Sequence, residues 1–335
     1  MILGVLAAAA AGGATSDIIV GHDTSPYASA YPWFPAFGTK YANPATAVDG
    51  SAEGIRFDKT NTAVAMATTG TPYVNVYNFN RGFGTKYSNP ATLPTGAGWA
   101  VDWRTGNSAV AVAHETSPYI TAYPWSAGFG TKYADPASLP AGVAYGVRWI
   151  PAGTYIATAQ QNTPFVNVWA WSAGFGTKVA NPATLPAGLN QGVDYNPAGD
   201  AIAVAGDNSP YVEAYAWSAG FGTKYSNPAT LPGLTGRNVK FSPNGSYIAV
   251  TTGGTPYIQV YPWSAGFGTK VANPATLPTG DSKDAAWTPT TNAIAVAHLT
   301  SPYITTYPFT TVFGTKYADP ATLPAGNGRS VDYTS

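Results

Sequence analysis

The tripeptide Gly-Thr-Lys begins at Gly38, Gly84, Gly130, Gly176, Gly222, Gly268 and Gly314, so one motif returns seven times at a fixed interval of 46 residues. That period matches the length of a four-stranded propeller blade, a unit that buries its apolar faces only when neighbours stack on both sides. Closure is written in the same register. Ser335 stands six periods after Lys59, and Ala14 stands one period before Thr60, so residues 14–335 make 322 residues, or seven periods of 46. The final "RSVDYTS" is therefore expected to supply the innermost strand of the blade whose other strands begin at "SDIIVG". Pairing the two ends in one blade locks a ring and hides a sheet edge.

Within one period the signals are those of short strands. From Val239 onward, "VKF", "YIAVTT", "YIQVYPW" and "TKVANPA" read as strands a to d, separated by "SPNGS", "GGTP" and "SAGFG". Each run alternates or is rich in β-branched residues, and each is bounded by Gly, Pro, Asn or Ser. The expectation is an all-β chain: a seven-bladed β-propeller of four-stranded antiparallel blades over residues 14–335, with blade 1 completed by residues 329–335. Residues 1–13, "MILGVLAAAAAGG", form an apolar N-terminal extension outside the ring. The extension is too short to span a bilayer and lacks the basic start of a signal peptide, so it is expected to be held by a neighbouring surface, either another subunit or the propeller itself.

The stretch "FSPNGSYIAVTTGGTPYIQVYPW", residues 241–263, resembles a WD40-type repeat, with Tyr261 where that family places its tryptophan. No Gly-His dipeptide precedes strand a and no Trp-Asp ends strand c, so that family's buried Asp-His-Ser-Trp network has no matching motif here. More narrowly, "AVAHETSPYITAYPW" followed by "FGTKYADPASLPAG" is similar to the near-identical repeats of uncharacterised structural proteins of tailed bacteriophages. That resemblance implies a virion component and no known active site.

Three registers around the ring carry charge or contrast. Lys40, Lys86, Lys132, Lys178, Lys224, Lys270 and Lys316 share one position at the start of strand d. Such a ring either docks an anionic surface or, as lysine on an outer strand does, blocks edge-to-edge pairing. The centre of strand a reads Arg56, Asp102, Arg148, Asp194, Lys240, Ala286, Asp332, with sign alternating in six of seven blades. An inter-blade ion-pair belt along the channel is expected, and three charges of each sign argue against a conduit of one polarity. Just before it, on the d–a loop, one position reads Glu53, Trp99, Tyr145, Gln191, Arg237, Lys283, Arg329. This rim is either an asymmetric binding site, with a cationic and an aromatic arc, or a loop free to drift.

Composition and motifs bound the function. Charged residues make up 10% of the chain and the formal net charge is zero, which removes the field expected of a nucleic-acid binder. There is no cysteine, and His22, His114 and His298 share a register at the end of strand b without a zinc-binding spacing. No nucleophile elbow or calcium loop appears, so no catalytic residue, metal or cofactor is expected. These features favour a non-enzymatic extracellular structural protein, a phage decoration or fibre component at the virion surface, anchored through Met1–Gly13 to other structural subunits. The alternatives are a propeller binding a host-surface glycan or receptor at the d–a rim, and a hydrolase or lactonase with a channel metal.

Overall fold

A computed structural model of the chain describes residues 16–335; the Met1–Gly13 extension, and any partner contact it makes, lie outside the described residues. Seven antiparallel sheets of three or four strands follow one another around a central channel. Blade 1 consists of Gly328–Tyr333, Ser16–His22, Ala28–Phe34 and Ala36–Phe37, as strands a to d from the channel outward. The closing ladder sets Val331 opposite Val20 and Asp332 opposite Ile19, and Asp17 exchanges two further bonds with Thr334. Blade 2 repeats the plan with Ala52–Phe57, Ala63–Thr68, Val74–Phe79 and Phe83–Lys86. The innermost strands of blades 3 to 7 are Gly98–Trp103, Ala144–Trp149, Asn190–Tyr195, Gly236–Phe241 and Ser282–Trp287.

Strand d differs from the sequence expectation. It is the Phe-Gly-Thr-Lys segment rather than "TKVANPA", and it is a four-residue strand only in blades 2, 4 and 5. The facing residue on strand c explains which blades keep it. Blades 2, 4 and 5 carry Asn78, Ala170 and Ala216 there, whereas blades 1, 3, 6 and 7 carry Pro32, Pro124, Pro262 and Pro308. Each of those prolines still accepts a bond through its carbonyl, from Gly38, Gly130, Gly268 or Gly314, but proline has no N–H to return. Pairing shrinks to two residues in blade 1 and to single bridges such as Trp125–Phe129 in the others.

Strand b is buried on both faces, which is why it reads Ala-Val-Ala-Val rather than apolar-polar. The alternation separates small from large. Ala63, Ala65 and Ala67 of blade 2 pack against Val110, Val112, Trp103 and Tyr123 of blade 3, so the small face of one blade receives the large face of the next. Outside that layer, Tyr87 of blade 2 meets Trp125 of blade 3 edge to face, with centroids 5.0 Å apart. Where this register holds Val179 or Val271 instead of tyrosine, Tyr155 and Tyr247 come from strand b of the same blade and contact Trp217 and Phe309. The blade interfaces thus keep an aromatic at this place by exchanging its origin.

The buried aromatic on strand c ties six of the seven blades to the connection that precedes them. Tyr123 donates its hydroxyl to the Thr92 carbonyl at 2.7 Å, Tyr261 to Thr230 and Tyr307 to Thr276, and Tyr31 reaches Thr322 across the closure. Trp169 replaces tyrosine and keeps the bond, its indole N–H reaching the Ser138 carbonyl at 3.0 Å. Tyr215 makes no such bond among the described residues. Tyr123→Phe is therefore expected to cost about 1–2 kcal/mol in chemical denaturation, and Tyr215→Phe nearly nothing. Equal losses for the two variants would show that the hydroxyls do not tie the blades.

Candidate functional site

The d–a and b–c loops share one face of the disc, here called upper, and strand a begins there. Glu53, Trp99, Tyr145, Gln191, Arg237, Lys283 and Arg329 all line one cavity of about 330 Å³ at the upper mouth of the channel. One residue further down, at Gly54 and Gly192, the next strand approaches too closely for a side chain. A Cβ at Gly54 would lie 2.7 Å from the Ala100 Cα, and one at Gly192 would lie 2.6 Å from the Asn238 Cα. The wider ring above is where long side chains fit.

Chain order places like beside like. Trp99 and Tyr145, on adjacent blades, meet edge to face with centroids 5.5 Å apart. Arg237, Lys283 and Arg329, on three consecutive blades, form an opposing cationic arc. Asp281 grips two of them: it takes Nε and Nη2 of Arg237 at 3.1 and 2.8 Å and lies 3.0 Å from Lys283 Nζ. Desolvation, then the nearby Arg237 charge, lowers the Lys283 pKa, with Asp281 opposing both. Arg329 reaches Asp23 through Nη2 at 3.0 Å, and its Nε lies 3.8 Å from Glu53. Burial would raise the Asp23 carboxyl, but hydrogen bonds from Arg329 and Asn327 outweigh it and hold the group below its ordinary value. Gln191 Oε1 accepts from Arg237 at 3.5 Å.

Glu53 stands between the cationic and aromatic arcs. One of its oxygens accepts from Ser51 Oγ at 2.6 Å; the other has no hydrogen-bond partner among the described residues. The remaining carboxylates of the mouth are occupied, Asp281 and Asp23 as above. Asp284, one position beyond Lys283, accepts from Asn238 Nδ2 and Ser330 Oγ at 2.7 Å each and lies 3.5 Å from Arg56. Sequence reading missed all three aspartates. Asp284 did carry a signal, as the only acid in a register otherwise occupied by Gly54, Ala100, Gly146, Gly192, Asn238 and Ser330.

The charges at mid-channel are joined less regularly than simple alternation implies. Arg148 spans Asp102 at 3.2 Å and Asp194 at 2.7 Å, and these carboxylates outweigh its burial and raise its pKa. Arg56 pairs with Asp284 rather than with its neighbour Asp332, and Lys240 lies 3.7 Å from the same Asp284, which fills the gap that Ala286 leaves. The other aspartates staple blades through the backbone: Asp102 accepts from Trp149 N–H, Asp194 from Phe241 and Asp332 from Phe57. Desolvation raises the Asp194, Asp284 and Asp332 pKa values despite the arginines beside them.

The lysines of strand d are tied down locally. Lys40, Lys132, Lys178, Lys224, Lys270 and Lys316 each hold an Asn or Asp three residues on, and Lys86 holds Asp49 at 2.6 Å. The three histidines are buried, with Nε2 on Ser29, Thr121 and Thr305. Burial pushes each of them down to about 4, so they are neutral near pH 7. No three His, Cys, Asp or Glu side chains cluster among the described residues. No helix there is long and apolar enough to cross a membrane.

No family model matches the chain, and no curated protein does. Solved structures match it over nearly its whole length. It is similar to a 6-phosphogluconolactonase candidate from Bacteroides uniformis at 15% identity and TM-score 0.72, covering 95% of this chain and 99% of that one. It is similar to a Lactobacillus plantarum protein at 14% identity and TM-score 0.74, covering 96% and 99%. The periplasmic gluconolactonase PpgL of Pseudomonas aeruginosa gives 14% identity and TM-score 0.72, with the same coverage. The fold is a seven-bladed β-propeller of the kind these proteins share. The expectation of a non-enzymatic phage structural protein is overturned by these neighbours, whose functional descriptions are lactonases, and the likeness to phage repeats finds no support. That expectation leaned on missing motifs, but a propeller assembles its mouth from one residue per blade at 46-residue spacing, so a site there leaves no local signature.

Proposed function

We propose that the chain is a lactonase-like hydrolase whose active site is the upper mouth of the channel. The observation that carries this reading is the gathering of Glu53, the cations Arg237, Lys283 and Arg329, and the Trp99–Tyr145 pair in a single cavity at the rim where the repeats diverge. The lactonase descriptions of the structural neighbours agree with it, and an extracellular or periplasmic setting is compatible with the periplasmic one.

In this reading the Glu53 oxygen that has no partner accepts a proton from water as the water oxygen bonds to the lactone carbonyl carbon. Arg329, whose Nε lies 3.8 Å from Glu53, stands beside the oxyanion that forms. Collapse breaks the bond to the ring oxygen, which takes up the proton, and one water and one lactone become one hydroxy acid. Trp99 and Tyr145 offer an apolar wall for the sugar ring, and Arg237 with Lys283 offers charge to an anionic substituent.

A pH-stat assay with glucono-1,5-lactone and its 6-phosphate tests the assignment. Wild type is expected to release acid from both faster than the spontaneous rate. Lys283→Met keeps the stem and leaves Asp281 bound to Arg237, so KM for the phosphorylated lactone should rise about tenfold while that for the plain lactone stays within about threefold. No acceleration by wild type over background for either lactone would overturn the reading.

A further inference from the structure

The opposite mouth of the channel holds a feature that lactone hydrolysis above does not use. Its rim is one register, reading Lys59, Thr105, Pro151, Pro197, Pro243, Pro289 and Ser335, so four rigid prolines and a single cation frame the opening. Lys59 stands on the solvent side of the charge belt and lines two adjoining cavities of about 270 and 340 Å³, with Arg148 beneath it in both.

Lys59 is set apart by what it does not touch. Among the described residues every other lysine and arginine is engaged. The strand-d lysines hold their Asx side chains, and the channel and upper-mouth cations hold aspartates. Arg104 holds the Gly153 carbonyl and Ser108, and Arg81 is likewise engaged. Among the described residues the Lys59 ammonium has no hydrogen bond and no ion pair, although its backbone N–H is fixed on Asn107 Oδ1 at 2.8 Å. Asp102 and Asp332 below attract it only from beyond ion-pair distance. Asp102 and Asp194 give their oxygens to Arg148 and to the N–H groups of Trp149 and Phe241, and Asp332 accepts from Phe57. Phosphate or carboxylate is the chemistry that satisfies an ammonium anchored by its backbone beside a guanidinium.

We propose that the lower mouth is a second binding site, for a small oxyanion, with Lys59 as its principal contact and Arg148 as a secondary one. The assignment stands independently of any reaction at the upper mouth. Amide NMR titration of the full chain with inorganic phosphate, and separately with acetate, tests it. Shifts are expected at Lys59, Asn61 and Asn107, with affinity at least about tenfold weaker in Lys59→Met and retained within about threefold in Lys59→Arg. A preference between the two anions distinguishes a phosphate from a carboxylate ligand, and either supports the site. Shifts confined to the upper mouth, no saturable shift in wild type, or unchanged affinity in Lys59→Met would each overturn it. In Lys283→Met, altered only at the upper mouth, the lower-mouth amides should titrate as in wild type even where upper-mouth shifts are lost, which separates this proposal from the lactonase reading.

Discussion

Glu53→Gln is expected to lower kcat for lactone hydrolysis by about two to four orders of magnitude while leaving KM within about threefold. The substitution keeps the side chain's length and its contact with Ser51 Oγ, and removes only the capacity to accept a proton from water. Glu53 is singled out because the other acids of the mouth are committed. Asp281 clamps Arg237 and Lys283, Asp23 holds Arg329 and Asn327, and Asp284 is saturated by donors from Asn238 and Ser330. A variant that retains within threefold of wild-type kcat would remove Glu53 from the reaction. An Asp281→Asn variant provides the contrast: it loosens two cations without touching the proposed base, so its loss should fall mainly on KM for an anionic lactone.

The second large effect concerns the ring itself. Deleting Gly328–Ser335 is expected to abolish the cooperatively folded state, because it strips the channel-side edge of Ser16–His22 and uncovers three blades together. Val331 and Tyr333 are buried, worth about 1.5–3 kcal/mol each. Asp332 also leaves the Phe57 N–H of blade 2, and Ser330 leaves Asp284 of blade 7 and the Ile55 N–H. Together with the closing ladder these losses reach the total stability of a typical domain, about 5–15 kcal/mol. A permutant joining Ser335 to Ser16 by a short linker and opened at the Pro289 turn should retain near-native unfolding, since Thr334 already bonds Asp17. A truncated chain that melts cooperatively within a few degrees of the intact one would contradict this account of closure.

The architecture was legible because it is periodic. One interval in the Gly-Thr-Lys motif fixes the blade count, and the shared register of Lys59 and Ser335 fixes the closure. Strand d was misplaced because its extent depends on a proline across the ladder at Pro32, Pro124, Pro262 or Pro308, which a run-by-run reading does not weigh. The rim residues were legible as a divergent register, yet their chemistry was not. Glu53, Arg237 and Arg329 acquire roles from Ser51, Asp281 and Asp23, and Asp281 and Asp23 come from other loops of the upper face. The belt was read at Arg148 but not at Arg56, since Asp284 lies two residues off the alternating position and its approach depends on the twist of strand a.

The most direct measurement is a crystal structure of the protein soaked with 6-phosphogluconate, the ring-opened acid. The account predicts the acid in the upper mouth, its carboxylate beside Glu53 and Arg329 and its phosphate on Lys283 and Arg237. Density for the acid only elsewhere, or an empty upper mouth at saturating concentration, would contradict it.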